Sequence, residues 1–344
     1  MTGSSHIYPT EVNELILKYF SLDCGVPQGS CLGPLLFIIF ASNLFKVIDD
    51  ELPAAHCYAD DTQLYISFKP SAASQDHAVN AMERCIDRIR SWMIHNRLLI
   101  NDDKSEFILI GTRQQLGKLR PINIHVGSSE ISPSSNVKNL GCWIDSKLDM
   151  STHITNVCKA AFYHLHNIRR IKKYLSRKSL LILVHAFITS KLDYCNSLLY
   201  GLPKCRIYML QRVQNAAARL VMDAGKYSHI TPVLCELHWL PVNARIKFKV
   251  LLLTFKVIHG LAPSYLKALV SVNVCSFYNL RSGNGILLKP PKGKMLSTLG
   301  ARSFHAAAPQ LWNSLPLKIR NITSIELFKK SLKTYLFSQE FNIQ

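Results

Sequence analysis

The sequence predicts an α+β chain in which short strands are confined to the first 150 residues and helices fill most of the remainder. Three observations carry that expectation. Ala54, Ala55, Cys57 and Ala59 precede the pair Asp60-Asp61, and Leu64, Tyr65, Ile66 and Phe68 follow it; these runs of buried and β-prone types around a polar turn read as a hairpin. From residue 151 onward apolar residues recur at three- and four-residue intervals, the period of a helix with one buried face. Charge divides in a similar way: residues 1–110 hold 8 basic and 14 acidic side chains, residues 111–344 hold 33 and 8, and the net charge is +19. A length of 344 residues admits two hydrophobic cores, and a hydrophobic fraction of 48% is ordinary for a globular protein. An acidic region suited to metal ions beside a basic region suited to a phosphate backbone points toward nucleic acid.

The elements follow in order. Glycines at 25 and 29 with Pro27 between them define a turn where backbone approaches a ligand closely. Ser30 stands where it caps an apolar helix over 32–40, and Pro34 is tolerable in the first turn of that helix. The chain has no run of eighteen apolar residues, so 32–40 and 180–188 are expected as core helices rather than membrane spans. Asp60 and Asp61 read either as a solvated hairpin corner or as carboxylates held on a rigid sheet edge for a metal ion. Neighbouring strand side chains point to opposite faces, so one Asp is expected to aim at the ion and the other to serve it less directly.

A helix over 76–96, with Trp92 near its end, comes next, and then helices over 151–174, 177–200, 204–224, 243–259, 263–270 and 324–339. In 177–200 the residues Leu180, Leu183, Val184, Phe187, Ile188, Lys191 and Leu192 form a nearly continuous stripe expected to be buried. Gly201-Leu202-Pro203 and Gly260-Leu261-Ala262-Pro263 separate helices. Between 271 and 299 periodicity fails, and Gly, Pro and Lys predict short strands or a basic loop. Trp239 and Trp312 are expected as core anchors.

Gly25-Val26-Pro27-Gln28-Gly29-Ser30, an apolar helix and Tyr58-Ala59-Asp60-Asp61 together resemble the palm of a reverse transcriptase from a LINE-type (non-LTR, jockey-like) retrotransposon. Further segments extend the likeness. Leu98-Leu99-Ile100-Asn101-Asp102-Asp103-Lys104-Ser105-Glu106 resembles the palm segment after the catalytic carboxylates. Val137-Lys138-Asn139-Leu140-Gly141-Cys142-Trp143-Ile144-Asp145 resembles the primer-side hairpin at the palm-thumb junction. The segments 191–196, 237–242 and 308–316 are similar to the C-terminal tail of such elements. The resemblance implies an antiparallel palm sheet with packed helices, then a mostly helical thumb and C-terminal region. It divides the chain into an unassigned 1–20, a partial palm over 21–150, a helical thumb-like region over 151–270, and a basic loop with a C-terminal helical tail over 271–344.

The same resemblance implies site roles. Asp60 and Asp61 are metal ligands for Mg2+ or Mn2+, with Lys104 as proton donor to pyrophosphate; for Lys104 the residues themselves allow a turn lysine paired with Asp102, Asp103 or Glu106 instead. Pro27, Gln28, Gly29 and Tyr58 are implied contacts to template or nucleotide, with an RNA template and a DNA primer as partners. In the family pattern the fingers, and a strand with the first metal-binding Asp, precede the Gly-Val-Pro-Gln-Gly segment by several dozen residues. Here 24 residues precede Gly25, with Glu11, Glu14 and Asp23 as their acids. Two-metal phosphoryl transfer rests on positioning and electrostatics, so this polypeptide is expected to be inactive alone. The alternatives are a non-catalytic RNA- or DNA-binding remnant and a translated relic with no selected role.

The densest basic stretch, Arg169-Arg170-Ile171-Lys172-Lys173-Tyr174-Leu175-Ser176-Arg177-Lys178, is suited to grip phosphates and stack an unpaired base, or is a solvated helix end. Other cations, among them Arg206, Arg245 and Lys247, suggest a broad basic surface. The ten cysteines contain no Cys-x-x-Cys pair and no zinc-like Cys-His spacing, and most are expected as reduced core thiols. Together with the lack of a secretory signal, this predicts an intracellular protein of nucleus or cytoplasm. No residue pattern indicates an oligomeric state.

Overall fold

Ala78, Ala81, Cys85 and Ile89 are spaced by three and four residues, and in the computed structural model they form the buried stripe of one long helix. The structure describes residues 7–9, 19–21, 29–49, 54–272, 286–291 and 299–342. The turn expected around Gly25, Pro27 and Gln28 lies outside these residues, as do most of 1–20 and most of 271–299. The chain forms two compact units, Met1–Phe107 with Gln114–Pro133, and Ile108–Arg113 with Ser134–Gln344. These divisions differ from the boundaries read from sequence, since 134–150 groups with the helices.

In the first unit β1 (Ile7–Pro9) pairs antiparallel with β2 (Tyr19–Ser21). Helices α1 (Gly33–Ala41) and α2 (Leu44–Asp49) lead to the antiparallel hairpin β3 (Ala54–Tyr58) and β4 (Asp61–Tyr65). The long helix α3 (Ala72–His95) follows, then the single turn α4 (Arg113–Leu116) and a second hairpin, β5 (Ile124–Val126) with β6 (Ser129–Ile131). The core joins Leu44 and Ile48 of α2 to the α3 stripe, with Ala55, Leu64, Ile66, Trp92 and Ile100 packed against it. Buried Gln75 secures the approach to β5: its amide donates to the Arg120 carbonyl at 3.0 Å and accepts the Arg120 N–H at 3.1 Å. Gly127, at φ +62, lets the Arg90 guanidinium lie against the β5–β6 turn; a Cβ there would come within 2.4 Å of Arg90 Nη2.

The second unit opens with β7 (Asn136–Asn139) and β8 (Cys142–Asp145), a hairpin with a two-residue turn at Leu140 and Gly141. Both turn residues have positive φ, +44 and +80, which matches strand twist. The Tyr194 hydroxyl donates to the Leu140 carbonyl and braces that turn. One core gathers α5 (Ser151–Ile171), α6 (Arg177–Val184), α7 (Ser190–Asp193), α8 (Lys204–Met222) and α9 (Ile230–Glu236). A second core is built by α10 (Val242–Ile258), α11 (Ser264–Lys267), α13 (Phe304–Asn313), α14 (Leu317–Arg320) and α15 (Ile325–Phe341), with α12 (Leu299–Arg302) before α13. There Phe255 and Phe328 stack with centroids 4.3 Å apart, next to fully buried Trp312, whose Nε1–H donates to the Ile286 carbonyl at 2.9 Å. Side chains of this kind each contribute about 1.5–3 kcal/mol on burial. Trp239 is buried too, so both tryptophans anchor cores as expected.

Three expectations are corrected. Helix α1 forms with the Ser30 hydroxyl accepting the Gly33 N–H at 2.9 Å, but it has no buried residue, and Leu35, Ile38 and Ile39 are each more than half exposed. It is apolar on every side and needs neighbours on every side. The expected helix over 177–200 is interrupted: a π turn spans His185–Thr189, α7 stops at Asp193 with Tyr194 extended, and Cys195, at φ +51, leads into a 3₁₀ turn at Asn196–Leu199. That rewinding turns Phe187 outward, so the expected buried stripe lacks it; its ring stacks on His164 instead. Of the eight described cysteines, three are buried. No helix among the described residues is long and apolar enough to cross a membrane.

Candidate functional site

The register of the first hairpin pairs Ala54 with Tyr65 through to Tyr58 with Asp61, which leaves Ala59 and Asp60 as a two-residue turn. Ala59 takes φ +53, the sign that turns compatible with strand twist require, in a conformation that costs an L residue about 1–2 kcal/mol. Asp60 sits in the turn and Asp61 begins β4, so strand alternation divides them only in part. Both are exposed, and among the described residues no ion pair or hydrogen bond engages either carboxylate. Asp61 lies opposite Tyr58, which is 66% exposed. The hairpin is rooted by Ala55 and Leu64 against the core. Two adjacent carboxylates without a cation repel each other, and a divalent ion would relieve that repulsion.

The donor set fits one ion better than two. Mg2+ is commonly held by one or two carboxylates, with water and substrate phosphates completing the shell, and Asp60 and Asp61 supply that. A pair of ions needs carboxylates from more than one segment, and among the described residues no group of three or more His, Cys, Asp or Glu side chains is placed to hold a metal.

Gly29 has φ +88, a conformation suited to glycine, with open space where a Cβ would point. Lys104 is exposed at the end of a 3₁₀ turn, Asp102–Lys104. Asp102, one of its possible partners, is taken by Arg90 of α3. Lys104 is engaged by no acid among the described residues, and a shallow depression beside it is lined by Leu99–Asp103 with Ser128 and Ser129. Ile100 and the inward face of the hairpin share one core, yet no contact joins Lys104 to Asp60 or Asp61 among the described residues.

The basic segment divides into structural and free cations. Lys172 pairs with Asp223, and Arg177 pairs with Glu236 at 3.2 Å. Arg169, Arg170, Lys173 and Lys178 are exposed and have no acid partner among the described residues. Elsewhere the broad basic surface read from sequence is reduced by internal pairing. Arg206 holds Asp149 at 2.9 Å, Arg245 takes both oxygens of Asp193 through Nε and Nη2, and Lys247 lies 3.9 Å from Glu340. Sequence reasoning missed these pairs because their partners are remote along the chain.

Buried thiol and imidazole chemistry was missed as well. Cys142 Sγ lies 3.7 Å from Nδ1 of His153, and both are buried. Burial, reinforced by the nearby Cys195 thiol, pushes Cys142 up to about 11, and burial lowers His153. Thiol and imidazole are therefore neutral near pH 7, which suits packing rather than nucleophilic attack.

Residues 5–144, the stretch holding both hairpin carboxylates and Lys104, match the family model described as reverse transcriptase (RNA-dependent DNA polymerase). Residues 5–144 are a reverse transcriptase domain. It is related to the enzymes of non-LTR retrotransposons. The chain is 30% identical over 141 residues to the RNA-directed DNA polymerase from mobile element jockey of Drosophila melanogaster, covering 40% of this chain and 14% of that protein. It is 24% identical over 235 residues to the probable RNA-directed DNA polymerase from transposon BS of the same organism, 64% of this chain and 25% of that protein. A third relative, the probable polymerase from transposon X-element of Drosophila melanogaster, is 24% identical over 208 residues, 57% of this chain and 21% of that protein. The chain thus spans a quarter or less of these relatives. No solved structure matches it. The reverse transcriptase domain takes in residues 5–20, left unassigned on sequence, and the basic segment 169–178 lies beyond its matched range.

Proposed function

We propose that this chain is part of an RNA-directed DNA polymerase of a LINE-type element, in which Asp60 and Asp61 hold a divalent ion at the reacting phosphate. The observation that carries this reading is the hairpin itself: two exposed carboxylates without a partner among the described residues, on a strained turn rooted in a core, inside the reverse transcriptase domain. Strain and uncompensated charge of this kind concentrate at functional sites. A bound divalent ion would supply charge neutralisation at the phosphoryl group. Asp60 and Asp61 would orient it, Tyr58 would lie beside the nucleotide, and Lys104 would deliver a proton to the leaving pyrophosphate. Pro27, Gln28 and Gly29 would meet template or nucleotide, and an RNA template and a DNA primer would be the partners.

The polypeptide of 344 residues is proposed to lack polymerase activity by itself, because the described residues place only one carboxylate segment where two-ion chemistry draws on more than one. A nucleic-acid-binding role without chemistry is favoured by the exposed cations of 169–178.

Two measurements test this. Mn2+ added to labelled chain should broaden the amide signals of Ala59 to Thr62, and Asp60→Asn with Asp61→Asn should abolish the effect; unchanged broadening in the double variant would remove the metal role. Primer extension on a primed RNA template with Mg2+ should give no product. Product that disappears on Asp60→Ala would show that the chain is active after all and that a further carboxylate reaches the site.

A further inference from the structure

In the helical unit two bare tyrosines each carry a lysine against the ring, and the fold ties the two places together. After α5, Lys173 Nζ lies 4.8 Å from the Tyr174 ring centroid, and after α8, Lys226 Nζ lies 5.4 Å from that of Tyr227. Tyr174 is 76% exposed and Tyr227 is 91% exposed. Lys172, next to the first pair, bonds Asp223 at the end of α8, and Arg177 Nη2 reaches Met222 Sδ at 2.7 Å and Glu236 Oε1 at 3.2 Å. The turn beneath Tyr227 is braced: the Ala224 N–H donates to the Arg219 carbonyl at 3.0 Å, the Ser228 N–H to the Gly225 carbonyl at 3.1 Å, and Arg219 Nη2 to the Ser228 carbonyl at 3.1 Å. Backbone is therefore held while the ring stays in water. Asp223 and Glu236 are used up in ion pairs, which leaves Arg169, Arg170, Lys173, Lys178 and Lys226 as exposed cations with no acid partner among the described residues.

We infer that this surface binds single-stranded nucleic acid, with Tyr174 and Tyr227 each stacking an unpaired base while the cations follow the backbone. The inference rests on the nucleic-acid reading of the chain given above and specifies which form of nucleic acid this surface takes. Cations alone accept any phosphate backbone; an exposed ring adds preference for a strand whose base faces are open, because duplex bases are already stacked on one another. Each ring is largely exposed with a lysine beside it, and a cation beside a ring adds attraction of its own.

The test is fluorescence anisotropy of the full chain with labelled oligo(dT) and oligo(U) of about 12 nucleotides, and with a duplex of equal length, across a salt series. Tyr174→Leu and Tyr227→Leu should each weaken single-strand binding about tenfold while leaving duplex binding and the salt slope unchanged. Arg169→Gln with Arg170→Gln should weaken both forms and reduce the single-strand salt slope by about 0.7 for each phosphate no longer neutralised. Binding to oligo(dT), oligo(U) or both that weakens in the tyrosine variants supports the surface and tells which strand it takes. Tyrosine variants, shown folded by circular dichroism, that leave single-strand affinity intact or weaken duplex equally would overturn it. Binding in which the single-strand affinity shows no tyrosine effect ends this inference alone; no binding of either form at low salt ends the nucleic-acid reading with it.

Discussion

Gly127 and Ala59 show how much hangs on single backbone positions in the reverse transcriptase domain. At Gly127 a left-handed φ coincides with a guanidinium in the space of the missing Cβ, and that guanidinium is held by Asp102. Gly127→Ala should therefore destabilise the chain by about 1–3 kcal/mol in urea unfolding, through strained backbone and a displaced Arg90. Ala59 is the opposite case, an L residue where glycine would be relaxed. Ala59→Gly relieves strain but raises the entropy of the unfolded chain, so stability should change by less than about 1 kcal/mol. The Asp-Asp pair and its turn were legible in sequence because a two-residue hairpin is local: strand residues on both sides and the turn between them fall within a dozen positions. The sign of φ at Ala59 was not legible, since composition at that position favours no such turn.

Element by element, periodicity located most helices and failed where chain-specific conditions intervene. Helix α13 went unpredicted because Pro309 lies inside it; there the proline is buried, and the missing N–H is tolerated within a well-packed core. Apolar spacing over 177–200 continues through the π turn and so predicts one continuous helix, but the π turn shifts the face that later residues present. In α1 the sequence was right about the helix and its cap and wrong about burial. Because Ile38 and Ile39 are already exposed, Ile38→Lys with Ile39→Lys should change the unfolding free energy by about 0.5 kcal/mol or less and reduce self-association in light scattering. A destabilisation comparable to a buried Ile→polar change would mean that a partner covers the helix in solution.

For the whole molecule, pH reports on two histidines of the helical unit, His153 in the core and His185 at the surface. Burial lowers His153, and burial with the Arg245 charge lowers His185, from the ordinary value of 6.5. The folded chain then takes up these protons at a lower pH than the unfolded chain does. Their contribution is complete above pH 6.5 and is lost as pH falls below it. Tm should be lower near pH 5.5 than near pH 7.5, and His153→Gln should shrink that difference; an unchanged difference would place the acid sensitivity elsewhere.

The sequence by itself determined the class of the chain, the carboxylate hairpin, the helical second half and the sign of its charge, because each is written in neighbouring residues or in composition. Tertiary structure alone decided which charges remain free. Lys172 and Asp223 are 51 residues apart, Arg245 and Asp193 52, and Arg206 and Asp149 57. Such pairs form only when helices pack, so no local pattern announces them. The same packing sets two distant tyrosines on neighbouring turns, since burial and pairing belong to the surfaces that meet in space and not to the order of residues along the chain.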